Sequence, residues 1–204
     1  LERGDTVLVA LSGGADSCAL LWCLVRLSDR YGLKLITAHF NHGLRQEQSD
    51  EDEVFCRGLA QKFGVDYLTR KMSDPSVPRG VSPEDYFRRE RYHFLDRAAM
   101  ENGANKIALG HHLQDQAETV LLNILRGSGL DGLKGFLPIR DGKYIRPLIE
   151  VTRPDITATL KEAGIDYCKD SSNSNHVYLR NRLRGELIPL LQTKYNPGIE
   201  QNLA

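Results

Sequence analysis

The sequence predicts an α/β fold: a doubly wound, mostly parallel sheet with helices on both faces. Three observations carry that expectation. Short, nearly continuous apolar runs such as Thr6–Leu11 alternate with helical patterns, as strands buried on both faces require. Glycines stand just past three of those helical patterns, at Gly32, Gly64 and Gly164, where a left-handed residue ends a helix. A small-residue loop also joins the first strand to the first helix, the build of an anion-binding turn.

Taken in order, Thr6–Leu11 reads as the first strand, and Asp16–Tyr31 as the first helix, ended by Gly32. Lys34–His39 follows as the second strand. Ser49 is placed to cap a helix that runs to Phe63 and stops at Gly64. Asp66–Arg70 makes a short third strand, and the proline-rich stretch Asp74–Gly80 a loop. Ser82-Pro83-Glu84-Asp85 opens a long helix with a capping serine, a proline at the first helical position and two early acids. Phe87, Phe94, Leu95 and Ala98 form its apolar stripe. Lys106–Leu109 is the fourth strand, running into Gly110, and Leu113–Leu125 the next helix. Gly127, Gly129, Gly132 and Gly135 predict a mobile loop. Thr152–Ala163 and Val177–Leu191 are the last two helices, and no repeat or low-complexity tract interrupts the pattern.

The 204 residues suit one α/β domain, with a short helical appendage from about residue 150. Basic and acidic residues balance at 27 each, so any nucleic-acid contact must come from local clusters. Cys18, Cys23, Cys56 and Cys168 form no C-x-x-C pair and no cluster of zinc spacing, and for Cys18, Cys23 and Cys56, which lie in apolar helical patterns, buried thiols are the default. Neither a signal peptide nor a transmembrane run is visible, which points away from membranes and toward a reducing cytoplasm. The chain starts at Leu1 and closes on Asn196–Ala204, which reads as cut within an element.

The loop Ser12-Gly13-Gly14-Ala15-Asp16-Ser17 carries the chemistry. Backbone N–H groups at the loop and first helical turn face an anion, and the helix dipole favours negative charge there. Two glycines let the backbone wrap a phosphate, and two serines add hydroxyl donors. The loop is too short for a Walker A sequence and lacks its lysine, and it lacks the third glycine of a dinucleotide fingerprint. Asp16 would repel a phosphate unless it meets Mg²⁺ or supports the loop.

Two further blocks fall at the carboxyl ends of strands, where open parallel sheets bind ligands. His39-Phe40-Asn41 follows the second strand, in position for adenine or ribose, although Phe40 also suits plain core packing. Arg45 lies in the next loop, either solvated or clamping phosphate. His111, Asp115 and Glu118 share one helix face at i, i+4 and i+7, with His112 and Thr119 one residue off it. Asp115 there could hold Mg²⁺–pyrophosphate or orient an amine. The plainer account has acids complementing the helix dipole, worth under about 1 kcal/mol each. A zinc site is rejected, because no third soft ligand is evident. Asn123 and Arg126 lie further along, Arg126 leading into the glycine loop.

Basic residues cluster at Arg88, Arg89, Arg91 and Arg97, and again at Arg180, Arg182 and Arg184. Arg89 and Arg97 can pair with Asp85 and Glu101 at helical spacing. Arg180 and Arg184 recur on one helix face, where they could reach RNA phosphates or an active-site anion.

The loop 12–17 resembles the pyrophosphate-binding loop of the N-type ATP pyrophosphatases. Within that superfamily, five further blocks look like those of the bacterial tRNA(Ile)-lysidine synthetases. They are His39–Arg45, Gly110–Thr119, Arg126–Leu133, Arg146-Pro147-Leu148, and Asp170–Asn173 followed by Arg180–Arg184. Arg88, Arg91 and Tyr92 match the family's Arg-x-x-Arg-Tyr pattern, although Phe87 stands where a small residue is more usual. The resemblance implies ATP and Mg²⁺ as cofactors, and as partners free L-lysine and a tRNA(Ile) with a CAU anticodon; it allows a homodimer. It implies ATP contacts from Ser12, Gly13, Gly14, Ala15, Asp16, Ser17, His39, Phe40, Gly110 and His111. Asp16 and Asp115 would serve catalysis and the metal, with Arg184 as a third catalytic group. Arg45, Arg88, Arg91, Glu118, Arg126 and Arg180 would meet substrate or tRNA. Many members carry further C-terminal domains, so the chain is expected to be the catalytic portion. The alternatives are a tRNA thiolation enzyme, which usually needs paired cysteines, and a non-catalytic adenylate- or RNA-binding module.

Overall fold

A computed structural model describes residues 1–44, 47–168 and 179–204. Its centre is a six-stranded sheet: β1 (Thr6–Ala10), β2 (Lys34–Asn41), β3 (Asp66–Lys71), β4 (Lys106–Ala108), β5 (Ile139–Arg140) and β6 (Tyr144–Ile145). The spatial order is β3-β2-β1-β4-β6-β5, parallel throughout except for the β5–β6 pair. Leu8 pairs with Ile36 on one side and Ile107 on the other, so β1 is the middle of an apolar layer. The chain turns back across the sheet between β1 and β4. That switch point leaves a crevice beyond their carboxyl ends, where the predicted site falls.

Alternation along β1 divides the core between the two faces. Val7, Val9 and Leu11 pack with α1 (Ala15–Tyr31), α2 (Glu47–Lys62) and α5 (Arg153–Glu162) on one face. Leu8 packs with Phe94, Leu95 and Ala98 of α3 (Pro83–Glu101) on the other. The doubly wound expectation therefore holds. A smaller cluster joins Leu121 of α4 (Leu113–Leu125) to Leu183 and Ile188 of the C-terminal helices. Those are α6 (Leu179–Arg182), a π-helical turn at Leu183–Leu187, α7 (Ile188–Lys194) and α8 (Ile199–Leu203).

Several expected boundaries shift. α2 starts at Glu47, so Ser49 lies inside its first turn, and its carbonyl accepts from the Asn41 side chain at 3.2 Å. Ser82 stands at the N-cap of α3 but makes no side-chain capping bond, whereas the Thr152 hydroxyl accepts from the Asp155 N–H at 3.3 Å. The last helix widens before Pro189, which has no N–H to donate to the carbonyl four residues back. The glycine stretch is pinned to α4 around a 3-10 turn at Leu130–Lys134. Asn123 donates to the Gly132 carbonyl at 2.7 Å, and the Phe136 N–H to Gln116 Oε1 at 2.6 Å. The β5–β6 hairpin was not expected. Asp141 and Gly142 both take positive φ, 56° and 65°, within the three residues that separate the paired Arg140 and Tyr144, and the Lys143 N–H returns to the Arg140 carbonyl at 3.1 Å.

Candidate active site

The loop after β1 is ordered by its own serines. Ser17 Oγ accepts the Ser12 N–H at 3.1 Å, lies 3.1 Å from Ser12 Oγ, and donates to the Gly14 carbonyl at 2.9 Å. Gly13 sits at φ 88°, a conformation side chains resist. The loop after β4 closes over this turn: a Cβ on Gly110 would lie 3.1 Å from Asp16 C and Ser17 N.

Beside the loop is a cavity of about 380 Å³, within the size range of ligand sites. Ser12, Gly14, Asp16, Ser17, Gly110 and His111 form one part of its lining; His39, Phe40 and Arg91 contribute elsewhere. His39 is buried and donates from Nδ1 to the Leu11 carbonyl at 2.9 Å, tying β2 to the base of the loop. Burial holds its pKa below the usual histidine value, so the neutral ring keeps Nε2 as an acceptor. Phe40 packs on Phe94 at 5.5 Å, and so serves both the core and the cavity wall. Arg91 is desolvated, and among the described residues no carboxylate pairs with it.

The two adjacent histidines part company. His111 stacks on Phe136 at 4.4 Å and accepts from Arg146 Nε at 3.2 Å. Burial, then the nearby Arg146 charge, lowers its pKa to about 3. His112 is 1% exposed and turns the other way, its Nε2 lying 3.7 Å from Asp16 Oδ1 and 3.5 Å from Asp115 Oδ2. The sequence put His111, not His112, on the stripe with Asp115. The histidines precede the helix, where helical spacing does not apply.

Behind this pair lies a chain of charges. Arg153 binds Asp16 Oδ2 at 3.2 Å. Glu118 is 1% exposed and takes Arg180 Nε at 2.9 Å and Arg184 Nε at 2.7 Å. Both arginines also approach Asp115 Oδ1, at 3.6 Å and 3.8 Å. Asp16, His112, Asp115, Glu118, Arg180 and Arg184 thus form one cluster beside the cavity. Among the described residues no three His, Cys, Asp or Glu side chains are set to hold a metal. Asp16 Oδ1 is, however, buried with no hydrogen-bond partner.

Other sequence candidates disperse. Arg88 is exposed on the outer side of α3, in a separate groove. Arg126 caps the far end of α4, exposed and outside the cavity lining, roughly 16 Å along the helix from Asp115. Arg45 and the segment 170–173 lie outside the described residues. Arg97 pairs with Glu101 at 3.2 Å as expected, while Arg89 lies over the Tyr86 ring at 5.6 Å. Three of the four cysteines, dispersed in sequence, converge: a Cβ on Gly13 would meet Cys168 Sγ at 3.1 Å and Cys56 Sγ at 3.3 Å. Cys18 Sγ donates to the Gly13 carbonyl at 3.2 Å, and burial pushes its pKa up to about 12.

Sequence reasoning assigned no role to Arg153, His112 or Arg146. Arg153 offered one signal, a cation in the first turn of a helix, where the dipole disfavours it unless an acid is near. Arg146 offered another, a charge set in the run Tyr144–Leu148 that is buried at 3% exposure.

Comparison with known proteins agrees with this geometry. A family model described as PP-loop domain matches residues 2–191. A tRNA(Ile)-lysidine synthase of Geobacter sulfurreducens is 44% identical over 204 residues, 98% of this chain and 43% of that protein. One from Clostridium tetani is 38% identical over 201 residues, again 98% of this chain and 43% of that protein. The chain thus spans less than half the length of the curated relatives it matches. Among solved structures, the U34-tRNA thiolase NcsA of Methanococcus maripaludis, with its 4Fe–4S cluster, superposes with a TM-score of 0.80 at 20% identity. That match covers 100% of this chain and 70% of the other, and shows the shared fold. With the serine-braced loop, the switch-point cavity and the family match over residues 2–191 all in register, the chain belongs to the PP-loop domain family.

Proposed function

We propose that this chain is the catalytic region of a tRNA(Ile)-lysidine synthetase, joining lysine to the wobble cytidine of an AUA-decoding tRNA. One observation supports this above others: the anion-ready loop and two carboxylates, Asp16 and Asp115, meet across His112 at the edge of one cavity. The similar relatives carry the name tRNA(Ile)-lysidine synthase, which gives the tRNA and the product; the two-step course is what the resemblance to that family implies.

In the first step, O2 of cytosine attacks the α-phosphorus of ATP and the bond to the bridging β-oxygen breaks, giving an adenylated base and pyrophosphate. Backbone N–H groups of residues 13–17 bind the departing phosphates, and Arg91 supplies uncompensated positive charge in the cavity. His39 Nε2 is free to accept from the adenine amine. The orphaned Asp16 Oδ1 and the Asp115 carboxylate are hard donors that fit Mg²⁺, which usually takes one or two carboxylates plus substrate phosphates. That ion, when bound, neutralises charge on the triphosphate.

In the second step, the lysine ε-amine attacks C2 and expels AMP. Only roughly one lysine in two thousand is neutral at pH 7, so a carboxylate must take the proton. Asp115 is assigned that role, held in place by its bond from the His112 N–H at 3.2 Å. Arg184 and Arg180, oriented by Glu118, sit beside it to stabilise anionic oxygen. The target base must leave its stack to expose C2. Among the described residues no helix is long and apolar enough to cross a membrane, and we place the enzyme in the cytoplasm with its tRNA and ATP.

A thiolation reading has one observation in its favour, the thiols gathered at Gly13. Against it, burial keeps Cys18 and Cys56 protonated, and both lie beneath the loop. Labelled lysine, ATP and bacterial tRNA with oxidised 3′ ends separate the readings. Alkali-stable label with AMP release is expected; AMP release without label would replace lysidine synthesis by another adenylating modification. Asp16→Ala should cut AMP formation by at least about 100-fold with the fold intact. Unchanged turnover would remove Asp16 from the reaction.

A further inference from the structure

A second depression, wider than the cavity at about 690 Å³, lies between α3 and the β5–β6 hairpin. Its wall is built around Arg140. That guanidinium lies 4.3 Å from the Tyr144 ring centre and 5.1 Å from that of Tyr92, and the two rings meet edge to face at 5.3 Å. Arg140 Nε is buried and makes no hydrogen bond; Asp141 Oδ2, 3.3 Å away, pairs with it by charge alone. Asp96 braces the floor, accepting from Lys143 Nζ at 2.5 Å and Tyr144 Oη at 2.6 Å. Arg88 and Arg89 line the rim, both exposed, and among the described residues no carboxylate pairs with either.

This groove adjoins the cavity. α3 presents Arg88 and Tyr92 to the groove and Arg91, between them in sequence, to the cavity. Tyr92 lies close enough to Arg146 to influence its charge, and Arg146 in turn donates to His111 on the cavity lining. One layer of side chains separates the two sites.

The lining holds four cations, but Asp85, Asp96 and Asp141 nearly cancel them. That surplus is too small to capture a free anion by charge. A planar guanidinium fixed against aromatic faces, with exposed arginines alongside, suits single-stranded nucleic acid, whose bases stack and whose phosphates accept hydrogen bonds. We propose that the groove holds the RNA strand flanking the target nucleotide, with Arg88, Arg89 and Arg140 on phosphates and a base against the Arg140–tyrosine stack. The assignment rests on the reading above only in taking RNA as the substrate.

The test is binding, which needs no turnover. A tRNA with a CAU anticodon is titrated against the full chain and its Arg89→Ala/Arg140→Ala variant over a range of salt. The variant should bind at least about tenfold more weakly. Its slope of log affinity against log salt should fall by about 1.4, roughly 0.7 for each single-strand phosphate no longer neutralised. ATP-induced thermal stabilisation should be unchanged. Equal affinity and slope in both proteins would overturn the groove, as would binding of inorganic phosphate that the variant loses while it keeps RNA. If the double variant does not fold, Arg89→Gln alone should lower the slope by about half as much, and an unchanged slope is the overturning result. Loss of RNA affinity in a protein that makes no lysidine would support the groove and sink only the reaction. Lysidine synthesis with undiminished RNA affinity in the variant would do the reverse.

Discussion

A Cβ at position 110 would lie 3.1 Å from Asp16 C and Ser17 N, a contact that backbone atoms cannot relieve by turning aside. Gly110→Ala is therefore expected to push the β4–α4 loop off the 12–17 turn, at a cost of about 1–3 kcal/mol. ATP affinity should fall at least tenfold, read by titration alongside thermal unfolding. Unchanged affinity in a destabilised protein would show that the two loops need not touch for binding. Single residues also mark where the sequence could be read. The serines and glycines of 12–17 read as an anion-binding turn because a strand precedes them and a helix follows. His112 does not, since what distinguishes it from His111 is the direction each ring takes after the strand. His111 faces Phe136 and Arg146, and His112 faces Asp16 and Asp115.

At the scale of elements, α4 and the broken C-terminal helix act as one device. Glu118, buried within α4, receives two arginines spaced four residues apart across α6 and the π-helical turn. A carboxylate so buried is tolerable only because both lone-pair edges are filled by charged donors. Glu118→Gln should therefore release Arg180 and Arg184 from Asp115. We expect a loss of about 1–3 kcal/mol, below the 3–5 kcal/mol of a fully buried pair, since both arginines reach solvent. Urea unfolding measures that loss, and single-turnover AMP formation should drop with it. Retained AMP formation would leave Glu118 a purely structural acid. The β5–β6 hairpin shows what element reading missed. Its strands are two residues long, too short for any periodicity, yet Asp141-Gly142 is the pair its turn demands.

For the whole molecule, three histidines packed around the cavity set a pH dependence. His111, His42 and His39 all have depressed pKa values, foremost because burial disfavours the charged ring; the first two fall to about 3 and about 4. Between those values and the unfolded value near 6.5, the unfolded chain binds more protons, so stability rises with pH across that window. Their contribution is complete above about pH 6.5 and is lost as pH falls toward 3. His111→Gln should flatten the curve of unfolding free energy between pH 6.5 and 4, and a slope equal to that of the parent protein would contradict the assignment. The sequence by itself determined the alternation of strands and helices, the small-residue turn at 12–17, and the acids Asp16 and Asp115 placed beside helix starts. These are local patterns, fixed by apolar periodicity, glycine conformation and helix-start chemistry. Tertiary structure alone decided that Arg153 reaches Asp16 over 137 residues, that Glu118 gathers Arg180 and Arg184, and that Arg91 and Arg88 line different depressions. Long side chains span several ångströms in directions that only packing selects, and buried charge must find its partner wherever the fold brings one.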